Sequence, residues 1–447
     1  MNFQDISDFV LGSPIVPQSA KDMTATLLID TLGVAAGGAE MDAGVIARNH
    51  ALRFMAGGSD QDSATLLFDG RKASLTGASF ALATQIDNLD AHDGYNPVKG
   101  HIGCAVVPAL FAFAEHLPDL TGAEAIDALA MSYEIAGRAG LSLHGSVSDY
   151  HTSGAWNALG VAALGARLFN LSQDQLRQAL GIAEYHGPRS QMMREIATPT
   201  MLHDGSGMGA MVGTMAVLLA QDGFTGAPAI TVEDDAVAHH WADLGSVWTV
   251  EQNYIKPYPI CRWAHAAIDA LSRLMQTHDF SADQVTQINV RTFREAAALF
   301  PRMPETTSQA QYSLPFALAA MLVHGKITSD EITGIALGDD RLAAILPKIE
   351  VAIGQEHQDR FPAGRWSDVT VHLSDGQVLA SGDQPARGGP DAPLELHEIE
   401  SKFRNIASIL APERRSAIWA MRDALAEGDV PLKHLTRLIT APVRDGS

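Results

Sequence analysis

Cysteine is nearly absent from this chain: Cys104 and Cys261 are the only two in 447 residues. Two thiols cannot build a disulfide framework, nor hold a cubane iron–sulfur cluster by themselves. Both sit in apolar surroundings, so reduced thiols in a cytoplasmic protein are expected. Positive charge is scarce as well. Against 52 Asp and Glu there are 31 Lys and Arg, a formal net charge of −21, and no cationic cluster stands out. Nucleic acid and anionic membrane surfaces both need a basic footprint, so neither is an expected partner. Long apolar runs are missing: the most apolar windows, such as 208–220, fall short of the ~20 residues that span a bilayer. The opening MNFQDISDFVLGSPIVPQSA has neither the basic nor the apolar region of a secretory signal.

Several chemical signatures are missing too. No GxGxxG follows an expected strand, which leaves a dinucleotide site unsupported. There is no HExxH, no CxxC and no repeated His-x-His, and the His239–His240 pair lies in an acidic loop, so no protein-bound metal is expected. Gly205-Ser206-Gly207 lacks the preceding strand of a nucleophile elbow. What remains open is acid–base chemistry without a cofactor.

What is present is length, a hydrophobic content of 46%, and helical periodicity. A chain of this size calls for two or more domains. Helices are expected over 22–34, 104–117, 122–143, 153–171 and 172–185, the last opened by Ser172 with Gln175 three residues on, a capping-box pattern. Ala/Gly-rich stretches such as GAWNALGVAALGARLF allow close helix packing and point to a compact bundle. After a helix over 264–277 the texture changes. Residues 284–293 alternate like a strand, and 367–381 read as a hairpin turning at Asp375-Gly376. Helical segments are expected over 313–323, 330–337 and 340–346, and the helical pattern returns over 396–410 and 412–427. The stretch 384–393, QPARGGPDAP, is the strongest boundary signal. The expected fold class is mainly α: a large all-helical domain built from 1–267 and 396–447, with a smaller α+β domain, 268–395, inserted.

Four polar loops open onto Ala/Gly-rich helices. The first, DNLDAHDGYNPVKGHIGC, concentrates Asp87, Asp90, His92, Asp93, Lys99 and His101; the second, HGSVSDYHT, offers Tyr150 and His151 beside a helix start, where backbone N–H groups and the dipole favour an anion. The third, 186–204, supplies Arg189, Arg194 and His203, and the fourth, KPYPICRWAH, supplies Lys256, Arg262 and His265. Carboxylates, imidazoles and a lysine held on loops suit acid–base work on an anionic substrate. Taken singly, each is equally a solvated loop or a capping pair.

Read together, DNLDAHD…GH, YHTSGAWNALGVAALGARLFNLS, HDGSGMGAMVG, KPYPICRWAHAAIDA and QYSLPFALAAML resemble the MmgE/PrpD family in order and spacing from about residue 20 to 410. The resemblance implies a helical domain with an inserted α+β domain, a homodimer, no cofactor, and chemistry on carbon next to a carboxylate of a small di- or tricarboxylic acid. It carries the family's aspartate onto Asp90 and its histidines onto His101, His151 and His265, with Arg262 nearby. One departure stands out. Where dehydratase and decarboxylase members have a basic residue before the third-block histidine, this chain has Thr200, while a lysine, Lys99, occupies the first loop. The pattern is most similar to the family's iminodisuccinate epimerases. The expected activity is thus a cofactor-independent isomerase that inverts the stereocentre α to a carboxylate of iminodisuccinate or a close aminodicarboxylate. The alternative is a lyase of the 2-methylcitrate dehydratase type. Lys99 and Tyr150 would be the two proton-exchanging groups; both titrate near ~10 in water, so one must be shifted down to act as a base. Arg262, Lys256, His92, His203 and His265 would hold substrate carboxylates, and Asp90 would orient a histidine.

Overall fold

In the computed structural model, which describes residues 2–428 and 430–444, the protein is mainly α-helical with small sheets. It divides into two compact units. The first runs from the N-terminus to Met192, resumes at Asp204–Asn253 and is completed by the chain from Glu400 onward; the second combines Met193–His203 with Tyr254–Ile399.

The first unit is a bundle whose helices include Gln18–Gly37, Leu75–Leu89, Gly103–Ala114, Gly122–Ser146, Gly154–Leu168 and Ser206–Gln221. Small residues set its tightness. A Cβ on Gly213 would come within 2.6 Å of the Val161 side chain, so helices Gly154–Leu168 and Ser206–Gln221 touch nearly backbone to backbone. Leu27, Leu28, Ile86, Leu110 and Leu164 have no exposed surface and form the centre. The Ser172–Gln175 capping box forms at the start of Gln173–His186, and Thr121 with Glu124 makes another. A two-stranded hairpin, Ser63–Thr65 with Lys72–Ser74, was not anticipated; strands of three residues carry too little alternation to read.

The second unit is built on a sheet in the order Ile349–Ile353, Val285–Thr292, Trp366–Leu373, Val378–Ala380. The first pair is parallel and the others antiparallel, with helices His265–Thr277 and Leu314–His324 packed together beside it. Trp366–Leu373 alternates inward and outward along its whole length. Three expectations change here. Residues 330–337 form two 3₁₀ turns, Ser329–Ile332 and Gly334–Gly338, in place of one helix, because Gly334 at φ 56° interrupts them. The stretch 384–393 is not a free linker. Gln384–Pro385 pairs with Trp366–Ser367, and Gly388, at φ 100°, accepts a 2.9 Å bond from Ile255 N–H so closely that a Cβ would collide with the Ile255 carbonyl. Finally, Tyr254–Ala267 belongs to this unit and not to the helical one. Ile255 bonds to Gly388, Cys261 N–H to Gln311 O, and Arg262 to the carbonyls of Ala386 and Arg387.

Among the described residues no helix is long and apolar enough to cross a membrane. Cys104 and Cys261 are both buried thiols, outside any disulfide.

Candidate active site

Helix Leu75–Leu89 ends on Asp90, which turns into the left-handed region at φ 56°. The loop that follows is interior. Asp90 is 2% exposed, His92 and Asp93 0%, and His101 6%, which rules out a solvated surface loop. Lys99 (φ 54°) and His203 (φ 46°) also lie in the left-handed region, so three of the five described non-glycine residues there are candidates read from the sequence. Such backbone costs on the order of 1 kcal/mol or more per residue and persists where surrounding structure fixes it.

Three aspartates explain how this loop is held. Asp93 Oδ2 accepts from Gly103 N–H at 3.2 Å, at the start of helix Gly103–Ala114. Asp87 Oδ2 accepts from Ser206 N–H at 3.0 Å, at the start of Ser206–Gln221. Asp204 Oδ1 accepts from Ser153 Oγ at 2.6 Å, and its carbonyl from Gly154 N–H at 3.0 Å, at the start of Gly154–Leu168. Helix N-termini, with unmatched N–H groups and the positive end of the dipole, supply what a buried carboxylate needs. The anion expected from outside at the Gly154 helix start is therefore already supplied by the chain itself, as Asp204.

Between these carboxylates stand two imidazoles, His92 and His101, with ring centroids 4.5 Å apart and nearly perpendicular. Both Nδ1 atoms contact the same acceptor, the Asp93 carbonyl, at 3.2 Å for His92 and 2.7 Å for His101. A carbonyl has no proton to give, so each Nδ1 carries the hydrogen and each Nε2 is the nitrogen that gains or loses one. His92 Nε2 lies 3.5 Å from Asp87 Oδ1 and His101 Nε2 lies 3.6 Å from Asp204 Oδ2. Each carboxylate caps a helix with one oxygen and faces an imidazole with the other. The backbone of His101 closes the network by donating to Ser153 Oγ at 2.9 Å.

Lys99 and Tyr150 meet directly. The lysine Nζ sits over the phenol ring at 4.2 Å, and the Tyr150 hydroxyl donates to the Lys99 carbonyl. His151 N–H donates to His144 Nε2 at 3.3 Å, and the His144 ring lies edge-on to Tyr150 at 5.5 Å. Burial, reinforced by the Lys99 charge, pushes His144 down to about 4. It is therefore neutral at pH 7 and serves as an acceptor. The run 150–152 is tied to 190–192 through Met192 N–H to Tyr150 O and Thr152 N–H to Ser190 O, both 2.9 Å.

The other candidates lie in the second unit. Arg262 is 4% exposed and stacks 4.3 Å over Tyr254. Burial lowers its guanidinium to about 10, still cationic at neutrality, and two of its nitrogens are committed to the Ala386 and Arg387 carbonyls. His265 Nε2 donates to Ile260 O at 2.8 Å, leaving Nδ1 as its exchangeable nitrogen. Its ring lies 5.3 Å from Tyr258, whose hydroxyl donates to Asp269 at 3.0 Å; burial raises Asp269 to about 6. His203 packs 5.5 Å from Tyr312, Lys256 has no exposed surface, and Thr200 caps Glu195 through its N–H and hydroxyl at 2.6 and 2.9 Å.

The N-terminal domain model of the MmgE/PrpD family matches residues 4–247 and the C-terminal domain model residues 258–427. The chain belongs to the MmgE/PrpD family. Relatives include a cis-aconitate decarboxylase-like protein, oryM, of Aspergillus oryzae, 23% identical over 393 residues, 77% of this chain and 77% of that protein. Human cis-aconitate decarboxylase is 26% identical over 357 residues, 74% of this chain and 73% of its own. The Aspergillus terreus cis-aconitate decarboxylase is 23% identical over 422 residues, 83% of this chain and 81% of its own. These MmgE/PrpD relatives are named as decarboxylases, and not as the epimerases that the sequence pattern suggested.

Several residues of this MmgE/PrpD chain gained roles that their sequence context did not assign. Asp87, Asp93 and Asp204 stood in the polar loops, but nothing local says which helix a carboxylate will cap. His144 stood in the second polar loop, and nothing local marked it as an acceptor. One group of possible metal ligands also appears: Asp87, His92 and Cys104 bring one donor atom each within 4.8 Å of one another. Their chemistry does not suit an assembled thiolate site. Asp87 already caps a helix, and the Cys104 thiol donates to Ser206 Oγ at 3.1 Å, with burial and Asp87 raising its pKa well above the ordinary range. In a second group, Glu356, His357 and Asp368, the two carboxylates are already bridged by the Arg291 guanidinium and His357 contacts Asp368 at 2.8 Å.

Proposed function

We propose that this MmgE/PrpD protein is a cofactor-independent isomerase that inverts the stereocentre α to a carboxylate of iminodisuccinate or a close aminodicarboxylate. The observation that carries the reading is the Lys99–Tyr150 contact. An amine and a phenol, the two groups needed to exchange one proton, are built against each other on a left-handed corner and a tethered loop. Lys99, cationic on its seat over Tyr150, first gives its ammonium proton to solvent, and as the neutral amine it then takes the α-proton. The C–H electron pair moves into the carboxylate as an enolate-like dianion, and the Tyr150 hydroxyl returns a proton to the opposite face; the other stereoisomer reverses the roles. A carbon flanked by two such groups at ~3 Å each separates them by ~6 Å. The Lys99 Nζ must therefore lift from its 4.2 Å seat on the ring to admit substrate. A cation–π contact of about 0.5–2 kcal/mol is readily exchanged for a carboxylate contact. His101 with Asp204, and His92 with Asp87, supply charge that follows the developing dianion.

A second reading, a lyase on a small tricarboxylic acid, is favoured by the decarboxylase names of the relatives and by the two imidazole–carboxylate pairs. Such pairs suit protonation and deprotonation around a departing carboxylate or hydroxyl. Proton NMR of the protein with one stereoisomer of iminodisuccinate in heavy water separates the two readings. Deuterium at the methine carbon together with the other stereoisomers, lost in Lys99→Met and Tyr150→Phe, supports the isomerase. No exchange there, with carbon dioxide released from cis-aconitate or a new olefinic signal from 2-methylcitrate, would overturn it in favour of the lyase.

A further inference from the structure

Lys402 is 7% exposed and lies on helix Leu396–Ile406, far along the chain from every polar loop. Its ammonium donates to Asp30 Oδ2 at 2.6 Å and to the Ala91 carbonyl at 2.6 Å. Asp30 is 1% exposed and Ala91 0%. The ion pair alone would be a fold staple. The second bond is different, because Ala91 sits between Asp90, in its left-handed turn, and His92. One residue later comes the carbonyl that fixes both imidazoles. The same helix that supplies Asp30 also supplies Thr31, whose hydroxyl reaches Asp93 Oδ1 at 3.5 Å.

We infer that Lys402 is a positioning residue: by holding the Ala91 carbonyl it locks the Asp90–Asp93 backbone and, through it, the His92 ring with hydrogen on Nδ1 and Nε2 toward Asp87. This inference rests on the proposed acid–base chemistry for its effect on turnover, but not for its effect on the ring. A lysine suits the task because its compact ammonium carries three donors, enough to serve a carboxylate and a carbonyl together.

Removing Lys402 alone would strand the buried Asp30 charge, so the test pairs the substitutions. Asp30→Asn keeps the donor to Ala91. Asp30→Asn with Lys402→Met removes both charges and the donor, and Asp30→Asn with Lys402→Arg restores a donor. Three quantities are read: the thermal midpoint, kcat and KM on whichever candidate substrate is turned over, and the ring ¹⁵N signals of histidine-labelled protein, with His92 assigned through His92→Gln. In the Met variant kcat is expected to fall about tenfold or more with KM little changed, since small misplacements of reacting groups act on the chemical step. His92 is expected to show a mixture of tautomers, and Arg to recover part of both effects. If the folded Met variant keeps wild-type kcat and a single Nδ1–H tautomer, the inference is overturned. If the wild type turns over none of the candidate substrates but the His92 signals still shift in the Met variant, the proposed reaction fails and the positioning role stands.

Discussion

His144 offers a measurement whose size follows from its surroundings. Its ring is lowered from 6.5 to about 4 by burial first and by the Lys99 charge second. Below pH 6.5 the unfolded chain takes up a proton that the folded protein refuses until about pH 4. Folded stability contributed by this ring is therefore complete above 6.5 and lost as pH falls through that window. The full shift corresponds to about 3 kcal/mol, of which about 2 kcal/mol is lost between pH 7.5 and pH 5. His144→Gln places an amide oxygen where Nε2 stood and cannot take up the proton. Urea unfolding of both proteins at the two pH values reads the difference directly, since the other titrating groups are common to both. The wild type is expected to lose about 2 kcal/mol more than the variant over that range. Equal losses would refute the claim that the ring is held neutral.

Two further substitutions probe the imidazole network. Asp204→Asn removes the carboxylate that faces His101 Nε2 while keeping an oxygen for Ser153; kcat is expected to fall about 10²-fold with little change in thermal midpoint, and an unchanged kcat would remove the His101–Asp204 pair from the chemistry. Gly103→Ala drives a Cβ into Asp93 Oδ1 and the Tyr133 hydroxyl, so a loss of about 1–3 kcal/mol is expected in urea unfolding, together with lower activity because the Asp93 carbonyl anchors both rings.

The helical scaffold was legible because its signals are local. Ser172 and Gln175 announce a helix start, Asp375-Gly376 announces a hairpin, and both form where the sequence places them. The short pairings were not legible: Ile349–Ile353 joins Val285–Thr292 across some sixty residues, with no alternation of its own to mark it. Composition misled at 384–393, where glycine and proline reflect a close approach to Ile255 and not a flexible link. The first polar loop was recognised as a unit, and the structure shows His92 and His101 side by side within it. What could not be read was the partnership of each carboxylate. Asp87 finds Ser206, Asp204 finds Ser153, and Asp30 finds Lys402 only after the helices have packed, and no periodicity encodes those distances.

The Asp30–Lys402 pair also has a meaning in time. The two residues are 372 positions apart, so at ribosomal speeds of about 5–20 residues per second the aspartate is made roughly 20–75 s before its cation exists. Until residue 402 is made, Asp30 has no Lys402 to meet it and the Ala91 carbonyl lacks its ammonium donor. The first polar loop therefore receives this contact late, although it is encoded in the first quarter of the chain. A nascent chain cut short before Lys402 would contain Lys99, Tyr150, His92 and His101 and still lack the ammonium that meets the Ala91 carbonyl.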